Sequence, residues 1–486
     1  MQSSAAHSLR CLAVLCFAGL LSGIVSADTI YLKNGRKIAA THVTMENGQV
    51  TYETSAGFLS LPVSIVDHVV REAAPLDSTA GTAADRAANL PIAPPSAELA
   101  PSADPAAGSA VRDGSLDLNL LSKLESEANA NPTPTSIQRV IAAESAAAQF
   151  EISVGDFKQA AAHYDVGLRF NPDSVPLLLE TAYLHLRRSE YSAALNLLDR
   201  ARRIEPDSPD AAKLSGWAYY GLNRVADAVN EWKRAQSLKP DPEVQHALEK
   251  AERDAEEEAG YREGETTHFR LRYNGEAAPD LARDVLQTLE KEFDEISSTL
   301  NYVPPEQIGV VLYTNQTFTD ITRAPSWSGA LNDGRIRVPV EGLSSMTAEL
   351  ARVLKHELTH SFVGQKTNGH CPVWLQEGLA QYMEGKRSRT NAGALISAYE
   401  NHMDFSLGSY ETSWLNLPRD IAGNAYAWSL ATVEAMLTAG TMDDMSRILD
   451  RLSAGSTAED AIHATLHDSY ADLNQFTVNY LRKAYY

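Results

Sequence analysis

Cysteine is scarce in this chain: there are three in 486 residues, at positions 11, 16 and 371. Cys11 and Cys16 lie in an N-terminal apolar stretch, and if that stretch is removed only Cys371 remains. A single thiol forms no internal disulfide, which excludes a disulfide-built scaffold. Basic charge is also short. Lys and Arg total 42 against 63 Asp and Glu, a formal net charge of −21, and no basic stretch offsets it. That balance argues against a nucleic-acid partner and is consistent with a soluble protein. Long apolar runs are missing after residue 25, so no later segment is expected to span a bilayer.

The one apolar run comes first. Arg10 gives a positive start, Cys11 to Val25 is almost wholly apolar, and Val25-Ser26-Ala27 is a small-residue cleavage site. Residues 1–27 therefore read as a cleaved secretory signal, and the mature chain as periplasmic or secreted. A membrane anchor would need a longer run and a basic stop after it. Lipid modification at Cys16 fits less well, because the apolar run continues past it.

The chemistry-bearing stretch is Lys355-His356-Glu357-Leu358-Thr359-His360, an instance of H-E-x-x-H. Two imidazoles four residues apart share one helix face. That spacing lets both bind one zinc ion, with Glu357 beside them to reach a water at the metal. Apolar residues at helical spacing lead in from Met346 to Leu354. A break at Gly369-His370-Cys371-Pro372 is followed by a second helical pattern, Trp374-Leu375-Gln376-Glu377-Gly378-Leu379-Ala380-Gln381-Tyr382. Two helices joined by that loop can bring Glu377 to the same metal, giving a His2Glu set with the fourth position left to water.

HELTH followed by WLQEGLAQY resembles the gluzincin clan of zinc metallopeptidases, and most of all bacterial proteins with a peptidase-MA-like domain. The resemblance covers roughly residues 265–486. It implies a zinc-dependent peptide-bond hydrolase with one Zn2+ per chain, held by His356, His360 and Glu377. Glu357 would be general base and acid. Tyr426 would be the further donor to the tetrahedral oxyanion, its alternative being a core residue, with Tyr382 a weaker candidate. The clan's acidic residue four after the ligand glutamate is here Gln381, which leaves the orienter of the zinc histidines unassigned. By the same resemblance, Gly329 to Asn332 and Arg335 to Val338 would form a cleft edge that holds extended peptide. Arg335 and Arg337 are expected at solvent, or else against an acidic substrate group. His370 reads as a cleft or surface residue and Cys371 as a small buried one.

The expected architecture is multidomain. Residues 28–71 form a small SH3-like β module, with hairpin turns at Asn34-Gly35, Asn47-Gly48 and Ala56-Gly57. Residues 72–136 are an Ala/Pro-rich linker with at most a transient helix over 118–127. Residues 137–262 are a tetratricopeptide solenoid: Asn171-Pro172-Asp173, Glu205-Pro206-Asp207 and Lys239-Pro240-Asp241 recur with a period of 34. Small Ala148, Ala182 and Gly216 and large Tyr164, Leu198 and Trp232 keep that period. The acidic run Glu256-Glu257-Glu258 reads as a solvated helix off the last repeat. Residues 263–486 form the α+β catalytic domain with a helical C-terminal lobe.

Two functions compete. One is a zinc peptidase whose repeats position a peptide or protein substrate or a partner. The other is a non-enzymatic envelope scaffold that binds proteins through its repeats.

Overall fold

A computed structural model describes residues 27–33, 37–46, 49–54, 57–63, 66–71, 92–95, 110–112, 114–274, 279–313, 331–332, 334–340, 343, 345–401, 405–412, 414 and 419–486. The expected signal lies outside them up to residue 26, as do Gly329, Ala330 and the three hairpin turns in whole or part. Among the described residues no helix is long and apolar enough to cross a membrane.

Five short strands open the described chain: β1 (Ala27–Leu32), β2 (Lys37–Glu46), β3 (Gln49–Thr54), β4 (Gly57–Pro62) and β5 (Val66–Arg71). They form one sheet in the order β4-β3-β2-β1-β5, with every neighbouring pair antiparallel. The three hairpin signals thus each separate two paired strands.

A two-stranded turn, β6 (Val111–Arg112) with β7 (Ser115–Leu116), leads into α1 (Leu118–Ala130). Here the chain departs from the expected linker. α1 is no transient helix: the Asp117 side chain caps it, and Leu121, Leu124 and Ala128 bury against Val140, Ala143 and Ala147. Its apolar face covers the open end of the repeats, the role a terminal cap plays in a stacked array.

The repeats pair α2 (Pro134–Ser153) with α3 (Phe157–Phe170), α4 (Val175–Arg187) with α5 (Tyr191–Ile204), and α6 (Pro209–Gly221) with α7 (Val225–Leu238). Helix α8 (Pro242–Glu257) follows. The period-34 positions are where the helices of a pair meet. Gly216 lies so close to Trp232 that a Cβ there would collide with the indole. In the first repeat, the departure at Glu144 is met by a hydrogen bond between its carboxylate and His163 Nδ1 at 2.7 Å. The turns inside the repeats keep the same period: Gly155, Ser189 and Asn223 have φ of 83°, 59° and 57°. Ser and Asn accept that left-handed conformation only at some cost.

The remaining unit is built on a second sheet, of β8 (Tyr261–Glu265), β9 (Phe269–Asn274), β10 (Ile308–Tyr313), β11 (Leu331–Asn332) and β12 (Arg335–Pro339). Its order is β11-β12-β10-β9-β8, with the central three strands parallel. Parallel neighbours need a crossover, and α9 (Pro279–Leu300) supplies the one between β9 and β10. Strand β12 is therefore interior, paired on both sides, and not the edge expected of it; among the described strands the sheet ends at β11 and β8.

Period-2 alternation gives the sheet two unlike faces. Phe269, Leu271, Ile308, Val310, Leu312, Ile336 and Val338 join the apolar core with α9. The opposite face carries Arg270, Arg272, Arg335 and Arg337, in two cross-strand rows through Gly309 and Val311. Arg335 and Arg337, expected at solvent, meet with Arg272 the acidic end of the last repeat helix, while Arg270 stays partly exposed and pairs with Glu265 of β8. Arg337 forks onto Asp254 of α8 at 3.0 and 2.8 Å, and Arg335 reaches Glu258 at 2.7 Å. Tyr220 and Tyr313 hydroxyls and the Lys250 ammonium complete a network in which Arg335, Arg337, Asp254 and Glu258 are wholly buried. Burial alone would raise the Asp254 carboxyl; Arg337, Lys250 and Arg335 instead hold it well below the usual carboxylate range. Of the acidic run, Glu256 is exposed and Glu257 half-buried as a solvated helix requires, while Glu258 is buried with Asp254 as the complement of the sheet, which corrects the expectation there.

The intra-repeat turns meet the same unit in succession. Gly155 lies against His370 and Gly455, Ser192 donates to Glu306 at 2.8 Å, and Asn223 packs on Gly309. Beyond the sheet come α10 (Ala348–Lys366), α11 (Val373–Met383), α12 (Ala392–Glu400), α13 (Arg419–Ala439), α14 (Met442–Ser453), α15 (Ala458–Leu466) and α16 (Tyr470–Tyr485). Of the helical stripe Leu430/Val433/Met436/Leu437 all but the half-buried Leu437 are buried, and the stripe Met445/Ile448/Leu449/Leu452 is buried throughout.

Candidate metal centre

Helix α10 starts at a Thr347 cap whose hydroxyl accepts from Leu350 N. It ends where Asn368 and Gly369 turn left-handed, φ 52° and 79°, and Gly369 N bonds back to Gly364 O. Lys355 pins it to α9 through Glu292 and Glu295, each at 2.7 Å. Its neighbour α11 begins after Pro372 and lies alongside, tied by Gln376 Nε2 to the His360 carbonyl at 3.4 Å.

These two helices bring His356, His360 and Glu377 together. The two Nε2 atoms are 3.1 Å apart; His356 Nε2 stands 3.5 Å from Glu377 Oε2 and His360 Nε2 3.6 Å from Glu377 Oε1. Metal–ligand bonds of about 2.0–2.1 Å place the corners of a tetrahedral site about 3.3 Å apart, so the three groups stand at the separation such an ion would set. The Glu377 Oε2 atom is buried with no hydrogen-bond donor. A carboxylate oxygen left so in the interior is costly unless a cation meets it. Two imidazoles and one carboxylate form a donor set that suits zinc or a similar transition ion.

The electrostatics separate the two histidines. Burial disfavours charge on His356, but the carboxylates of Glu377, Glu384 and Glu357 beside it override that and raise its pKa to about 10. His360, with burial dominant and the His356 charge beside it, is pushed down to about 4. Glu357, nearly buried, is raised to about 7, by burial first and then by Glu377 and Glu384. A carboxylate near neutrality is suited to both taking and returning a proton.

The acidic side chain nearest the far side of the His356 ring is Glu384, whose Oε1 lies 3.4 Å from Nδ1 and 2.8 Å from Lys386 Nζ. Its signal was present: it lies seven residues after Glu377, two helical turns along the same face. Gln381 does something else. Its amide donates to the backbone carbonyls of Glu377, at 3.2 Å, and Tyr426, at 2.9 Å, clamping α11 to α13. Gly378 permits that closeness, since a Cβ there would lie 2.5 Å from the Ser429 carbonyl oxygen.

The α11–α13 crossing carries Tyr426 beside the site, where burial first and then the charges of Glu377 and Glu357 push its pKa up. Trp414 packs edge-on against its ring at 5.0 Å. Tyr426 thus stands at the centre while also packing on the core. Tyr382 does not share its position: its ring lies under Arg387. His370 leaves the cleft altogether, packing 5.3 Å from Phe157 of the repeats. Cys371 is buried and its thiol is pushed up by desolvation, which leaves little of the reactive thiolate. Trp374 is wholly buried, as expected of a core residue.

Residues 301–483, which hold the whole cluster, match the family model described as Peptidase MA superfamily. Residues 151–214 and 185–251 match that of the tetratricopeptide repeat. The chain carries a Peptidase MA superfamily domain with tetratricopeptide repeats before it. No significant match to a curated protein was found. The peptidase-MA match begins at the end of α9, so the arginine-bearing β12 lies inside it while β8 and β9 precede it.

Proposed function

We propose that the protein is a zinc-dependent peptide-bond hydrolase of the gluzincin type, acting on peptides or proteins. The observation that carries this reading is the convergence of His356 Nε2, His360 Nε2 and a donorless buried Glu377 oxygen at tetrahedral separations. Zinc, when bound there, supplies a Lewis acid that acidifies water and polarises a carbonyl.

The protein's own groups carry the rest. Glu357, with its pKa near 7, takes the proton of the attacking water and returns it to the leaving amine. Tyr426 stays protonated at neutral pH and donates to the oxyanion that forms at the scissile carbon. Glu384 fixes the His356 ring so that Nε2 faces inward. Strand β11, at the end of the sheet and against α10, offers backbone groups to an extended substrate. The lack of an aminopeptidase-type Gly-x-Met-Glu-Asn signature favours an endopeptidase. The five-stranded sheet at the front is read as an SH3-like module.

The test uses the chain from residue 28 onward and its Glu357→Gln variant, with zinc content and cleavage of a mixed peptide library as readouts. Stoichiometric zinc in both, with cleavage only by the parent, is expected. A parent without zinc would sink the reading, and zinc without cleavage in either would favour a scaffold role for the repeats. Export rests on the leader Arg10 to Ala27; a protein purified from its own cells should begin near Asp28, and retention of Met1 in the folded protein would refute it.

A further inference from the structure

Within the Ala/Pro-rich stretch, Ile92-Ala93-Pro94-Pro95 adopts an irregular, non-helical path. Ala93 and Pro95 are buried, Pro94 is exposed and Ile92 is half-buried. Ala93 and Ile92 pack into an apolar cluster whose other members all come from the repeats, among them Leu179, Tyr183 and Trp217 of the first helices of the second and third repeats. Ala93 lies 48 residues before the nearest of those members, Ile141. This is therefore a long-range contact, made by a segment whose composition alone gives no reason to order.

The segment's chemistry explains why it can dock. Each proline fixes its own φ, and a residue before proline is held away from the helical region. Such a run is already extended and loses little freedom when bound. It has no polar side chain, so recognition rests on apolar contact and on the alternation of buried and exposed positions.

We propose that Ile92–Pro95 is an internal ligand of the repeat solenoid. The surface beneath it takes an extended, apolar, proline-containing segment, and a partner protein carrying such a segment binds by displacing it. The proposal goes beyond the peptidase reading and stands without it. A tethered ligand competes at an effective concentration on the order of 1 mM, so only a better segment, or one presented in several copies, takes its place.

The test is direct. A fluorescent peptide spanning residues 88–97 is titrated by anisotropy into the chain from residue 28 onward, in parent and Ala93→Asp forms. Release of the tethered copy should make the variant bind at least about tenfold tighter than the parent. A peptide carrying the same Ala93→Asp change should bind neither. A second released form, Ile92→Gly with Ala93→Ser, Pro94→Gly and Pro95→Ser, adds no charge and alters no helix or strand; it should behave like the first. Equal affinity for parent and released chains would place the peptide elsewhere and overturn the proposal, as would no binding to either released chain.

Discussion

His356 Nδ1 stands 3.4 Å from Glu384 Oε1, on the side of the ring away from Glu377 and His360. A carboxylate on that side favours a proton on Nδ1 and leaves Nε2 to a metal. Glu384→Gln should weaken metal binding by about 10–100-fold, measured by competition with a chromophoric chelator. An unchanged affinity would show that α10 packing alone orients the ring.

Tyr426→Phe keeps the ring against Trp414 and removes only the hydroxyl. Loss of a single oxyanion donor costs about 10²–10³ in kcat, so steady-state kinetics should show kcat falling by that order with KM little changed. A variant that raises KM alone would assign Tyr426 to substrate binding.

Arg337 and Asp254 join the sheet to the last repeat helix with both side chains wholly buried. Arg337→Met should destabilise by about 3–5 kcal/mol, because Asp254 loses its fork of donors inside the protein. Adding Asp254→Leu should restore more than half of that. Urea denaturation of the two variants checks both signs; a double variant no better than the single one would show that the network acts through Arg335 and Glu258.

His370 is depressed to about 4, by burial first and then by the nearby Arg187 charge. An unfolded histidine titrates near 6.5, so between about pH 6.5 and 4 the unfolded chain binds this proton and the folded one does not. The stability contribution is complete above pH 6.5 and is lost as pH falls toward 4. Denaturation midpoints of the parent should fall across that window more steeply than those of His370→Phe. Parallel profiles would contradict the assignment.

The site was largely legible in the sequence, and the interface was not. HELTH and WLQEG each encode a local geometry, a helix face, so four of the site's residues could be named without knowing the fold. Glu384 shares that face but needs the packing of α11 on α10 to acquire a purpose. Tyr426 depends on where α13 crosses α11, which Gly378 and Gln381 decide together. Arg335 and Arg337 read as solvent-facing because period-2 alternation reports two unlike faces but not what covers each. The complement was written elsewhere, in Asp254 of the last turn of α8 and Glu258 just past its end. Opposite charge on an alternating strand pair and on a distant helix gives a pairing only when the fold is known. The period of 34 announced the repeats, while the cap α1 was hidden by the composition of the stretch before it.

The succession of contacts at Gly155, Ser192, Asn223 and Glu258 makes the peptidase-MA domain a template against which the repeats are counted. A free-standing solenoid can gain or lose a unit by duplication and remain a solenoid, since each unit touches only its neighbours. Here one extra unit of 34 residues inserted after Ile204 would carry α8 past the sheet and strand Arg272, Arg335 and Arg337 without the acids of its end. The number of repeats is therefore a fixed dimension of the molecule, set by the width of the domain it is fastened to.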